Sequence, residues 1–222
     1  MAHTDQVTGK DIQTDGVVIQ WATLYDPLVK LMTLGQASRL RRRTIALAAV
    51  QTGTHVLDVG CGTGDLTVAA WQMAGPTGHV AGIDPAAEMI AVAQRKATKQ
   101  RASIDFRVGA IEALPFADTS FDVVLSSLMM HHLPDDLKVQ GLAEIHRVLR
   151  LGGHLVVVDF KGPTSRFAKG IMTLMLHGAQ QTGIQDLLPL LTAAAFTPTA
   201  SGGIILPTLG YLCAQKAETH ER

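Results

Sequence analysis

The residues of this sequence best suited to chemistry lie in one stretch, Val56-Leu-Asp-Val-Gly-Cys-Gly-Thr-Gly-Asp-Leu-Thr67. An apolar run carrying Asp58 breaks at Gly60, Gly62 and Gly64, and an amphipathic segment follows. Glycines let the backbone turn sharply and let a ligand approach the main chain. The spacing is Gly-x-Gly-x-Gly, with Cys61 and Thr63 between the glycines. A dinucleotide fingerprint needs Gly-x-Gly-x-x-Gly, and Asp65 stands where its last glycine would be. A carboxylate at a helix start disfavours a pyrophosphate, and Asp58 adds a second negative charge. The loop therefore suits a ligand that is cationic and lacks phosphate.

Twenty residues beyond Gly64 comes Gly82-Ile83-Asp84-Pro85. A carboxylate there, at a strand end, can accept hydrogen bonds from both hydroxyls of a ribose. The bland reading is a solvated Asp beside a proline. S-adenosylmethionine combines a ribose with a sulfonium and an amino group, and it carries no phosphate.

These residues need a scaffold. Apolar runs at 54–59, 79–83, 104–108, 121–126 and 155–159 alternate with amphipathic segments at 66–74, 86–99 and 135–150, and Gly152-Gly153 ends the last of these. Met89, Ile90, Ala93 and Ala97 repeat at helical spacing. The pattern predicts βαβ crossovers and a parallel sheet covered on both faces. Two strands near 196–203 and 209–215 follow each other with no helix between them. They predict an antiparallel hairpin at one edge, for seven strands in a doubly wound α/β fold. In such sheets ligands bind beyond the carboxyl ends of the strands.

Around this core the sequence predicts a flexible tail over 1–16, a helical cap over 17–50 and a Met-rich covering segment over 162–183. The 222 residues fit one domain, and the formal net charge is zero. A nucleic-acid binder relying on a broad basic surface is disfavoured. No Asn-Pro-Pro-Tyr follows the fourth strand; Ser126-Ser-Leu-Met-Met-His-His132 stands there. Cys61 and Cys213 lack paired spacing and read as free thiols. No signal peptide or apolar run of membrane-spanning length is visible, so the expected compartment is the cytoplasm. No metal site is expected, because adjacent histidines point apart and no third ligand is evident.

The glycine loop, Asp84, the segment Gly109-Ala-Ile-Glu-Ala-Leu-Pro-Phe-Ala-Asp-Thr-Ser-Phe-Asp122 and Arg147-Val-Leu-Arg-Leu-Gly-Gly153 occur in order. Together they resemble the class I S-adenosylmethionine-dependent methyltransferases over roughly residues 20–216. The resemblance implies Gly60 and Gly62 beside the methionine part of the cofactor, Asp84 on the ribose and Ile111 beside adenine. Members often carry Asp where this chain has Ala110, so the adenine would rest more on main chain and on apolar contacts such as Met89. The expected cofactor set is Tyr25, Asp58, Gly60, Cys61, Gly62, Asp84, Pro85, Met89, Ala110, Ile111 and Ser126. Within the class, Tyr25-Asp-Pro-Leu-Val-Lys-Leu-Met-Thr-Leu-Gly35, the arginines that follow it and Val158-Asp-Phe-Lys161 look nearest to the ubiquinone/menaquinone C-methyltransferases. That group typically has an Arg-Asn pair where His131-His132 stands, and its usual C-terminal signature is replaced by Pro207–Lys216.

The implied function is methyl transfer to a small, lipophilic acceptor. In-line displacement from a sulfonium mainly needs alignment and exclusion of water. A base is needed only if the attacking atom must lose a proton. His131, ahead of His132, is the candidate base or acceptor contact; the bland reading is a loop histidine that caps the next helix or lines the cofactor pocket. Asp159, at the same edge, either orients the acceptor or bonds loop amides. Met172, Leu174, Met175 and Leu176 can roof a lipophilic acceptor or form plain core. Arg39, Arg41, Arg42 and Arg43 read as a solvated helix face or an anionic-lipid contact. The alternatives are an NAD-dependent oxidoreductase on a similar fold and a cofactor-binding protein without catalysis.

Overall fold

The structure, a computed structural model, describes residues 14, 16, 26–27, 29–31, 33–162 and 183–217. Tyr25, the Met-rich stretch and most of the covering segment lie outside the described residues.

A helix α1 (Ala37–Leu47) precedes β1 (His55–Val59), α2 (Asp65–Ala74), β2 (His79–Asp84), α3 (Ala87–Gln100) and β3 (Asp105–Val108). Then come β4 (Phe121–Ser127), a short turn of 3-10 helix at Met130–His132, α4 (Asp135–Val148) and β5 (Leu149–Phe160). A second 3-10 turn (Ile184–Asp186), α5 (Leu187–Ala193), β6 (Phe196–Ile204) and β7 (Leu206–Lys216) complete the chain. The sheet has seven strands in the order β3-β2-β1-β4-β5-β7-β6. β1 to β5 pair in parallel, and β7 runs antiparallel between β5 and β6. This is the doubly wound sheet with a terminal hairpin that the sequence predicts. The chain reverses direction between β1 and β4, which makes the switch point where such sheets bind ligands.

Successive residues of each central strand feed opposite faces. Leu57, Val124, Leu155 and Val157 join one buried cluster with Leu142 and Ile145 of α4 and Leu187 and Leu191 of α5. Val56, Val123, Val156 and Val158 join a second with Leu40 and Ile45 of α1 and Leu66 and Ala70 of α2. Burial on both faces explains why the strands read as unbroken apolar runs. Each such side chain contributes about 1.5–3 kcal/mol, which fixes the strand ends that carry the site.

One boundary differs from expectation. Gly152-Gly153 does not end α4; the helix stops at Val148, and β5 has begun by Leu149. Phe121 pairs with Leu149, but Val123 pairs with His154, so residues 150–153 bulge out of the ladder. Gly152, at φ 74°, supplies the turn. Arg150 fills the bulge and donates to Asp122 Oδ1 at 2.6 Å, while the His55 amide donates to Oδ2. The end of α4 is held by Lys216 of β7, whose Nζ donates to the carbonyls of His146 and Leu149.

Candidate active site

The glycine loop leaves β1 with Gly60, Gly62 and Gly64 all at positive φ. At Gly60 a Cβ would clash with Met129 Cγ, and at Gly64 it would lie 2.8 Å from both Ala93 and Phe106. Glycine is therefore demanded here by conformation and by close approach. The Cys61 amide donates to the Ile83 carbonyl at 2.8 Å and ties the loop to β2.

Asp84 completes this tie. Its Oδ2 accepts from the Gly62 amide at 3.0 Å, and its Oδ1 accepts from the Ala86 amide at 2.9 Å. Burial nonetheless pushes its carboxyl up to about 6. Asp58 is 1% exposed and accepts a 2.6 Å bond from the Thr67 hydroxyl. Burial, and to a lesser degree Asp84, pushes it up to about 7. Two desolvated carboxylates beside one loop make a place where a cation is welcome and a phosphate is not.

Two clefts meet at this loop and share Gly60 and Leu128. The first is lined by Asp84, Pro85, Met89, Ala110, Ile111 and Glu112, among others. Thr14 and Gly16 also line it. The second is lined by Asp26, Lys30, Arg41, Asp58, Cys61 and Ser127, among others. Leu128 has φ 57°, a strained conformation for a side chain with a Cβ.

The expected residues fall into place unevenly. Asp84, Pro85, Met89, Ala110 and Ile111 gather in the first cleft with Gly60 and Gly62. The Ile111 side chain also packs against Gly141 of α4. Asp58 and Cys61 border the second cleft, although Cys61 packs with Ile90, Ala93 and Phe106 behind the loop. Ser126 is buried, and its hydroxyl has no hydrogen-bond partner among the described residues. Glu112 Oε2 is likewise buried with no partner among them.

Asp159 is not among the residues that line these two clefts. It is 1% exposed and is used internally. Its Oδ1 lies 2.6 Å from His131 Nδ1 and accepts from the Phe160 amide, while Oδ2 accepts from the His131 amide. β5 thus holds the His131 ring against the end of β4. His131 also meets Phe160 edge-on and lies 3.9 Å from the His132 ring, centroid to centroid. His132, not His131, lines the first cleft. Burial and the adjacent His131 push its imidazole down to about 4, which keeps it neutral near pH 7.

A polar cluster on the second cleft escaped the sequence reading. Lys96 Nζ reaches Asp26 Oδ2 at 2.6 Å, Asp65 Oδ1 at 2.7 Å and Thr63 Oγ1 at 2.9 Å. Thr63 Oγ1 in turn donates to Asp26 Oδ1, and Arg41 reaches Asp65 at 3.2 Å. Asp65 is therefore met by two cations, and the charge that disfavours a pyrophosphate resides in Asp58 and Asp84. The missed signal was the seven-residue spacing of Met89 and Lys96, which puts both on one face of α3. Arg39, Arg42 and Arg43 are exposed, a solvated face. Among the described residues, no cluster of His, Cys, Asp or Glu is placed to hold a metal, and no helix is long and apolar enough to cross a membrane.

The desolvated carboxylates Asp58 and Asp84 beside the glycine loop, at the junction of the two clefts, fit S-adenosylmethionine. Comparison with known proteins agrees. A methyltransferase-domain family matches residues 56–153. The demethylmenaquinone methyltransferase of Lactobacillus johnsonii is 33% identical over 171 residues, which is 76% of this chain and 68% of that protein. The enzyme of the same name from Lactiplantibacillus plantarum is 36% identical over 149 residues, 66% of this chain and 62% of that protein. The match thus spans about two thirds of the length of these relatives. Among solved structures, an Aquifex aeolicus SAM-dependent methyltransferase superposes with a TM-score of 0.68 at 20% identity, covering 85% of this chain and 98% of that one. The chain belongs to the class I S-adenosylmethionine-dependent methyltransferases, in the group of the menaquinone and ubiquinone C-methyltransferases.

Proposed function

We propose that this protein transfers a methyl group from S-adenosylmethionine to a small lipophilic acceptor bearing an ionisable hydroxyl, such as a quinone-type ring in its reduced form. The observation that carries this reading is the junction of two clefts at Gly60, bounded by Asp58 and Asp84. When bound, the cofactor supplies an activated methyl on its sulfonium. Asp84 receives the ribose hydroxyls, and Asp58 faces the cationic amino-acid end. Met89, Pro85 and Ile111 exclude water from the base. The relatives' name, demethylmenaquinone methyltransferase, supports the quinone class.

His131 takes the acceptor's hydroxyl proton, and Asp159 is a positioning residue. With the Asp159 carboxylate as acceptor, Nδ1 carries a proton and Nε2 presents a lone pair. Loss of the hydroxyl proton makes the ring electron-rich, and so a better nucleophile toward the methyl that the bound cofactor would supply. The test is transfer of labelled methyl to a panel of quinols, thiols and phenols, with His131→Ala and Asp159→Asn alongside. Turnover on quinols is expected. His131→Ala should lower kcat by about 10²-fold or more at unchanged KM for S-adenosylmethionine. Asp159→Asn should lower kcat and shift its pH profile. Turnover on quinols with both variants at wild-type kcat would remove the base; turnover confined to thiols would remove the acceptor class.

A further inference from the structure

We infer that the turn before α1, together with the basic face of that helix, docks this protein on an anionic lipid surface, with Leu31 and Leu34 entering the bilayer boundary. The inference does not rest on the methyl-transfer reading. The turn is closed by main-chain hydrogen bonds from the amides of Thr33, Leu34, Gly35 and Gln36 to the carbonyls of Val29, Leu31, Lys30 and Thr33. It presents its side chains inside out. Thr33, a polar residue, is 2% exposed, and its hydroxyl donates to the Val29 carbonyl at 2.7 Å. Leu31 and Leu34 are 72% and 74% exposed, more than any other large apolar side chain among the described residues. Leu34 is moreover held at φ 50°, a conformation that suits glycine better than a residue with a Cβ. Burial within the protein would select the reverse pattern, so the two leucines serve a surface outside it.

The charge of the region says what that surface is. Between Asp26 and Asp58 the chain carries Lys30, Arg39, Arg41, Arg42 and Arg43 and no carboxylate, although its formal net charge is zero. Arg39, Arg42 and Arg43 share one exposed face of α1, opposite the buried Leu40, Thr44 and Ile45. Arg39 reaches the Gln36 side chain, directly after the turn, at 3.3 Å. Of the flanking carboxylates, Asp65 is held by Lys96 and Arg41, and Asp26 by Lys96. Among the described residues no carboxylate pairs with Arg39, Arg42 or Arg43. Apolar tips beside uncompensated arginines match an anionic bilayer, where leucines enter the acyl boundary and guanidiniums meet phosphates. A nucleic acid or an acidic protein would meet the arginines but offers the leucines no apolar phase. Lys30 and Gly35 of the turn, with Ser38 of α1, also line the second cleft. Docking therefore sets that cleft against the lipid, where a lipophilic acceptor partitions.

The test is co-sedimentation of the full chain with vesicles of phosphatidylcholine alone and of equal parts phosphatidylcholine and phosphatidylglycerol. Wild type should bind the anionic vesicles about tenfold more tightly or better, and added salt should weaken that binding. Arg42→Gln combined with Arg43→Gln should weaken it by about tenfold or more. Leu31→Gln combined with Leu34→Gly should weaken it by a similar factor of about tenfold. The leucine variant should melt no lower than wild type, because glycine relieves the backbone at position 34. Equal or absent binding to the two vesicle types overturns the inference, and so does wild-type binding by the arginine variant. Wild-type binding by the leucine variant would reduce the contact to charge alone and overturns it too. A dimer that only the leucine variant dissolves, with vesicles left unbound, would assign the patch to a second copy instead. The methyl-transfer reading stands or falls separately, on binding of S-adenosylhomocysteine by wild type.

Discussion

Asp58 and Asp84 are carboxylates that the fold holds at a cost. Both are raised chiefly by burial, to about 7 and about 6. A bound cation favours their ionised forms, so affinity for S-adenosylmethionine should rise as pH increases through 6 to 7 and fall below that window. The ligand-free protein should show the opposite trend. A raised native pKa means that stability contributed by the protonated group is complete below the unfolded value of 3.8 and is lost as pH rises toward 7. Asp58→Asn should therefore stabilise the ligand-free protein at pH 8, by on the order of 2–4 kcal/mol, and flatten the pH dependence of affinity. Melting scans and titrations across pH 5–8 check both signs; a variant less stable than wild type at pH 8 would contradict the account. The glycine loop and Asp84 were legible because their spacing is local. That Asp159 bonds loop amides was one of its two readings, but its contact with the His131 ring was not legible, because it spans 28 residues of sequence.

At the level of elements, the strands and helices followed from apolar periodicity, and the hairpin from two strands without an intervening helix. The start of β5 was missed because a bulge at residues 150–153 looks in sequence like a glycine stop. The Lys96 cluster was missed because it joins α3, the glycine loop, α1 and residue 26, none of them neighbours in the chain. It braces the loop against the segment that borders the second cleft. Removing it in Lys96→Met should weaken S-adenosylhomocysteine binding about three- to tenfold, since partly exposed ion pairs contribute modestly. The wild-type affinity should fall with added salt more steeply than that of the variant. Equal salt dependence in the two would show that the cluster does not act on the loop.

Across the whole molecule, the order β3-β2-β1-β4-β5-β7-β6 brings the central candidate groups among the described residues to the carboxyl edge of the parallel strands. β1 supplies the loop, β2 Asp84, β3 the stretch that leads to Ala110 and Ile111, and β4 with β5 the His131–Asp159 pair. The fold alone does not decide chemistry; the desolvated carboxylates at the junction of the two clefts do. The most direct measurement is calorimetric titration with S-adenosylhomocysteine beside NADH, repeated with Asp84→Ala. The account predicts micromolar binding of the nucleoside, weakened at least tenfold by the substitution, and no binding of the dinucleotide. Clear NADH binding with none of S-adenosylhomocysteine would contradict it.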